Sequence, residues 1–166
     1  MDASGVKREI KEAKELFTEK GRELLSDKEL GNLLKEYRDA ISKTTGLMLD
    51  VGISRACASC AAGKVESCCF EGAEEWYGRV LLLVNLLMGI NPPSSPGKKG
   101  QCLFNGREGC RLRARYSYCI NYLCPELNAS LGPAAVTRFL STAGIELALG
   151  WEVERRVIKL LGEKAR

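Results

Sequence analysis

The sequence predicts a mainly α-helical fold: a helical domain with an N-terminal αα-hairpin, a buried central helix, a long C-terminal helix and an irregular cysteine-rich, metal-binding insert. Three observations carry this. Both ends of the chain show apolar residues at helical spacing among charged ones. A nearly continuous apolar stretch lies in the middle. All eight cysteines fall between Cys57 and Cys124, and there is no histidine. A chain of 166 residues fits one domain, 1–166, which buries roughly 70% of its unfolded surface and needs no metal merely to fold. Within it the sequence divides into a hairpin (1–46), a cysteine-rich core with its central helix at 72–89 (47–128) and a C-terminal helical segment (129–166).

The first helix follows from Val6, Ile10, Ala13, Phe17 and Leu24, a stripe with a Lys/Glu-rich opposite face. Ser26 with Glu29 forms a capping-box pattern for a second helix. Leu30, Leu33, Leu34, Tyr37 and Ile41 carry that helix to about Thr44, with Gly46 as its stop. The short connection predicts antiparallel neighbours, whose role is packing or contact with a protein partner. Leu47 to Val51 reads as an apolar link. The small residues Ala56, Ala58, Ala61, Ala62 and Gly63 would let the backbone bend round an ion.

From Glu74 to Met88, Trp76, Val80, Leu83 and Leu87 keep the helical period, and Leu81, Leu82, Val84 and Leu86 make the segment apolar nearly all round. Asn85 interrupts it, and it is far shorter than the roughly 20 residues that span a bilayer. It reads as a buried helix with no membrane role, and Trp76 and Trp151 read as core. Asn91 to Gly100 holds three of the five prolines and must be an exposed loop. Cys102 to Cys110 looks like a hairpin in which Asn105, Gly106 and Gly109 supply positive φ and two thiols face each other. Gly132-Pro133 opens the last helix, with Val136, Leu140, Ala143, Leu147, Trp151, Val157 and Leu161 on its apolar side and Gly144 or Gly150 as bends.

Met1 to Gly5 lead into a charged helix without an apolar run, which predicts no secretory signal and a cytoplasmic protein. In a reducing compartment clustered cysteines serve more often as metal ligands than as disulfides, with thermophile disulfides and free buried thiols as the alternatives. Soft thiolates select zinc, copper(I) or iron–sulfur clusters. Cys57 and Cys60 form a Cys-x-x-Cys bite. Adjacent Cys68 and Cys69 should point apart, which argues for two sites or for one site plus a thiol. Cys102, Cys110, Cys119 and Cys124 follow at spacings of seven, eight and four intervening residues, looser than ordinary zinc knuckles. That irregularity, with Cys124-Pro125, leans toward a 4Fe-4S cluster over zinc.

Arg107, Arg111, Arg113 and Arg115 run through the second cysteine group with Tyr116, Tyr118 and Tyr122. If extended, Arg111, Arg113 and Arg115 share a face. Nucleic-acid phosphate is one use for it. Compensation of a negatively charged thiolate site is the favoured one, with Arg115, Arg111 and Tyr118 surrounding the ligands, because a net charge of +4 leaves little for nucleic acid. Glu66, Glu71, Glu74 and Glu75 read as charge partners of helix starts. Without histidine no Cys-His nucleophile exists, and no phosphate loop, paired-carboxylate signature or dinucleotide fingerprint appears.

The order Cys57-x-x-Cys60, Cys68-Cys69, Cys102, Gly109-Cys110 and Arg115-Tyr-Ser-Tyr-Cys119 resembles the zinc- or iron-chelating cysteine-rich domains of the YkgJ-like type, also found in flagellin lysine N-methylases. The resemblance covers about Cys57 to Cys124. Seven residues separate Cys60 from Cys68, more than is usual there, and Tyr116 replaces a proline. It implies a bound zinc ion or iron–sulfur cluster with no established activity for most members, and it leaves the helical flanks unexplained. The primary expectation is a metal-binding protein for structural, electron-transfer or metal-handling use. The alternatives are an enzyme or enzyme subunit of protein-lysine-methylase-like type and a zinc-dependent nucleic-acid-binding module.

Overall fold

A computed structural model describes residues 4–63, 67–97, 99–106 and 109–162. Helix α1, Ser4–Ser26, buries Val6, Ile10, Ala13 and Leu24, the stripe read from the sequence. Helix α2, Lys28–Asp50, follows after the single residue Asp27. The Ser26–Glu29 box does not form. Ser26 Oγ donates to the Arg22 carbonyl at 2.7 Å inside α1, so Asp27 is the N-cap, accepting from Leu30 N–H at 2.8 Å. Arg156 closes over this corner, bonding Asp27 Oδ2 at 2.7 Å and Glu29 Oε2 at 2.7 Å.

Gly46 does not stop α2. A mid-helix glycine costs about 1 kcal/mol against alanine, a penalty that burial of Leu47 directly beyond it can offset. The expected link Leu47 to Val51 is therefore helix almost to its end. Termination comes at Val51 and Gly52, where φ reaches +84°.

Helix α3, Ile53–Gly63, replaces the predicted bend of small residues, because its alanines are strong helix formers. A single 3-10 turn, Ala73–Trp76, precedes helix α4, Arg79–Leu87. The central helix is thus shorter than 72–89, but it is buried as expected from Leu81 to Asn85. Strands β1, Asn105–Gly106, and β2, Gly109–Cys110, form a small antiparallel hairpin. Helix α5, Ser117–Asn121, leads to helix α6, Pro125–Leu160.

Helix α6 begins eight residues before the expected Gly132-Pro133 start. Gly132 (φ +75°, ψ 162°) instead bends it, while Gly144 and Gly150 keep helical dihedrals. Its inward face is Phe139, Ala143, Glu146, Gly150, Val153 and Val157; Ala143 and Val157 are where the expected stripe puts them, while Phe139, Glu146 and Gly150 take the places expected of Leu140, Leu147 and Trp151. Trp151 consequently points outward and is 60% exposed, where Arg155 lies over its ring at 4.7 Å. One charged position, Glu146, hides the true face from any hydropathy reading.

The main packing sets α2 against α6 and α1 against α4. The larger core gathers α1, α2, α4 and the hairpin region around Leu82, Leu83, Val84, Tyr77 and Phe104. A second core joins Leu47, Ile53, Ile120, Leu127, Phe139 and Ala143. Among the described residues no helix is long and apolar enough to cross a membrane.

Candidate metal centre

The cysteines arrive from four places. Cys57 and Cys60 stand three apart on α3 and share a helix face, so the Cys-x-x-Cys is helical rather than a knuckle. Cys68 and Cys69 follow at a bend just before Phe70, which bridges Gln101 antiparallel. The Cys102 N–H donates to the Cys69 carbonyl at 2.9 Å, which fastens the two cysteine groups backbone to backbone. Cys110 sits on β2, paired with Asn105 and not with Cys102 as the hairpin reading had it. Of the expected positive φ angles there, Gly109 alone has one, at +106°, among the described residues. Cys119 lies on α5, and Cys124 is the N-cap residue of α6. Helix α3 packs on β2 and α5 on α6, which draws these elements together. All eight thiols are free.

Buried side chains to which the sequence assigns other roles, or none, fix this arrangement. Glu74 and Glu75 stand in the first turn of the 3-10 helix as expected. Asn85, an apparent interruption of the apolar helix, has no exposed surface. Its Nδ2 donates to the Leu81 and Ala114 carbonyls at 3.0 and 2.9 Å, and its Oδ1 accepts from Arg113 and Ala114 N–H at 2.9 and 3.0 Å. The central helix thereby grips the strand-like segment that leads from Cys110 to Cys119. Tyr77 accepts from Tyr116 N–H at 3.0 Å and donates to Cys119 Sγ at 3.7 Å. Glu74 Oε2 accepts from Gly72 N–H at 3.0 Å and Leu103 N–H at 3.2 Å, tying the two cysteine segments from inside. Glu75 accepts from Val6 N–H at 3.3 Å, near the start of α1. A polar residue isolated in an apolar run was the one available signal, at Asn85.

The thiols feel one another's charge. Burial, then the neighbouring Cys68, Cys124 and Cys60, push Cys57 up to about 11, while Arg115 opposes the rise. Burial likewise pushes Cys102 up to about 12, with Glu74, Cys110 and Cys119 adding to it. Burial also raises Cys110 and Cys119, against hydrogen bonding from Tyr77 and the charge of Arg115. Cys57 and Cys110 reach the surface, so their desolvation is partial. The adjacent pair behaves differently: the influence of each thiol on the other lowers Cys68 and raises Cys69.

Arg115 lies beside three of these thiols, with its guanidinium 3.9 Å from Glu146 Oε1 and 3.9 Å from Met48 Sδ. Arg111 donates to the Ser95 and Leu103 carbonyls at 2.8 and 2.6 Å, tying the proline loop to the hairpin, and its charge favours the Cys110 thiolate. Leu112 and Ala114 are buried while Arg111 and Arg113 are exposed, the alternation an extended segment predicts. Arg115 turns inward, however, so the expected row of three guanidiniums is reduced to two. Arg107 and Glu66 lie outside the described residues.

Tyr118 stacks on Tyr122 at 4.6 Å and meets Trp76 edge-on at 5.1 Å, and the charges of Cys68 and Cys119 help to raise its pKa. Trp76 is 36% exposed and not core. With Phe70, Tyr116 and Tyr118 it lines a shallow, open hollow on the surface. Among the described residues no three cysteine, aspartate or glutamate side chains are gathered closely enough to hold a metal ion as they stand. No protein-family model, curated protein or solved structure matches the chain.

Proposed function

We propose that this chain is a metal-binding protein that holds an iron–sulfur cluster or zinc through its clustered cysteines, for structural, electron-transfer or metal-handling use. The resemblance to the YkgJ-like chelating domains belongs to the same proposal. One observation carries it: cysteines from α3, the 68–69 stretch, the hairpin region and the α5–α6 junction come near enough for their charges to oppose one another's ionisation. Such a group is unfavourable as thiolates alone and is relieved by a soft cation, which displaces protons and draws the sulfurs inward. Arg115 and Arg111 then offset the residual negative charge, as partners outside the ligand shell do at metal sites. Free thiols of this kind accord with a reducing cytoplasm.

A second reading, an enzyme or enzyme subunit, draws on the shallow aromatic hollow lined by Phe70, Trp76, Tyr116 and Tyr118, whose residues neighbour Cys69 and Cys119 in sequence. A nucleic-acid role has less support, because the arginine row is reduced to two. Elemental analysis and the visible spectrum of anaerobically purified protein test the proposal. A brown protein with iron and sulfide, or a colourless one releasing zinc to a chelator, is expected. Protein free of both, and unable to take up either on reconstitution, would end it.

A further inference from the structure

We infer that the outward face of α6 is a self-association surface, on which a second copy of the chain packs its own α6 antiparallel about a two-fold axis at Ile145. This stands apart from the metal-binding reading and needs no guest at the thiols.

The face is marked by what it lacks. From Phe139 to Trp151 the chain carries a single charged residue, Glu146, and that residue is buried. The solvent side of α6 over those turns is therefore uncharged. Ile145 and Trp151 are 62% and 60% exposed there, and Leu140 is 40% exposed. The outward side of α1 is built differently, from Lys7, Arg8, Lys11, Glu15, Glu19 and Lys20, all exposed. Large apolar side chains together with depletion of charge distinguish the core of a protein–protein interface from ordinary surface. Ser141 and Ala148, exposed within one turn of Ile145 on either side, are small, so a second helix can come close.

The charges that end the run select the occupant. Arg138, Ile145 and Glu152 stand seven residues apart in one helix, so they share a side of it, and all three are exposed. A two-fold axis at Ile145 inverts this row. Ile145 then meets its own copy, and Arg138 of each chain meets Glu152 of the other. The row complements itself, as an interface between identical patches requires, and the ion pair forms twice. A parallel arrangement would instead set Arg138 against Arg138 and Glu152 against Glu152. Arg155, 3.5 Å from Glu152 and lying over the Trp151 ring, borders the patch.

The test is sedimentation velocity across a dilution series, with the thiols kept reduced so that no intermolecular disulfide contributes. A reversible dimer is expected. Ile145→Glu, Arg138→Glu and Glu152→Arg should each give monomer. All three change exposed side chains, so circular dichroism should show the helix content kept. Mixing Arg138→Glu with Glu152→Arg should restore a dimer of the two variants, because every pair across the axis is then of opposite charge. The double variant Arg138→Glu/Glu152→Arg should dimerise by itself for the same reason. Wild type that stays monomeric at about 1 mM, where even a weak self-affinity shows, overturns the proposal and leaves the face to a different protein. A dimer that survives Ile145→Glu and both charge reversals lies on another face and overturns it too. Loss of the dimer in the single variants without rescue on mixing overturns the two-fold register.

Discussion

The guanidinium of Arg115 stands 3.9 Å from Glu146 Oε1, a carboxylate with no exposed surface and no hydrogen-bond donor on either oxygen. Thr44 lies near enough to ease its charge, but its hydroxyl proton goes to the Ala40 carbonyl at 3.2 Å. Glu146 therefore sits at the α2–α6 interface with Arg115 as its compensating cation, and Arg115 in turn faces the thiols. Burial holds the Glu146 pKa above its ordinary 4.5. A carboxyl that binds its proton more tightly when folded stabilises the fold fully below 4.5 and loses that contribution as pH rises through the folded value.

Glu146→Gln should therefore remove this loss. Its stability, measured by denaturant unfolding, should match or exceed wild type at pH 8 and vary less with pH above 4.5. Arg115→Met leaves the buried carboxylate uncompensated and should destabilise by on the order of 3 kcal/mol. The double variant should recover much of that, since the two residues act as one unit. A double variant as unstable as Arg115→Met alone would show that the pairing does not matter.

Tyr77→Phe should have two separate effects. The Tyr116 N–H loses its acceptor, which lowers stability by about 1 kcal/mol. Cys119 loses the hydroxyl that donates to its sulfur at 3.7 Å and favours its thiolate, so it should react more slowly with a disulfide reagent at pH 8. Unchanged thiol kinetics alongside lowered stability would restrict Tyr77 to a structural role.

The two glycines within the straight part of α6 should respond oppositely. A Cβ at Gly144 meets nothing within 4 Å, so Gly144→Ala should stabilise by about 0.5–1 kcal/mol. At Gly150 a Cβ would stand 3.0–3.2 Å from the ring and hydroxyl of Tyr37, which is buried and has little room to retreat. Gly150→Ala should gain nothing and Gly150→Val should lower the melting temperature clearly. Equal gains at both positions would contradict the close α2–α6 approach.

The same pair of helices shows what can be read from residues alone. The stripes of α1 and α2 were legible because no charged residue on them is buried, so hydropathy and burial coincide. On α6 they diverge: Glu146 is buried and Trp151 exposed, so periodicity finds Ala143 and Val157 but misses Phe139, Glu146 and Gly150. Gly46 misleads for a different reason, since local propensity cannot register the packing that continues a helix, whereas at α3 the helix propensity of the alanines was legible and was passed over for the bending their small size allows. The clustering of the cysteines was legible from their confinement to one segment. Their placement was not, because it depends on long-range bonds from Asn85, Tyr77 and Glu74, residue types that carry no pattern of their own.

Cys68 should be the first thiol to be alkylated. It is exposed, and the neighbouring Cys69 thiol holds its pKa below the ordinary 9.0, so more of it is thiolate, the reactive form, than of the thiols that burial raises. Cys102, buried and pushed up to about 12, should be among the slowest. Limiting iodoacetamide on the metal-free protein, followed by peptide mapping, should give a Cys68 rate whose pH midpoint lies below 9.0. Cys69→Ala removes the neighbouring thiol and should move that midpoint toward 9.0. A midpoint near 9.0 in both proteins would mean that the adjacent thiols do not act on one another. Loading with zinc beforehand should suppress labelling at Cys68 in wild type, because a coordinated thiolate is no longer a free nucleophile.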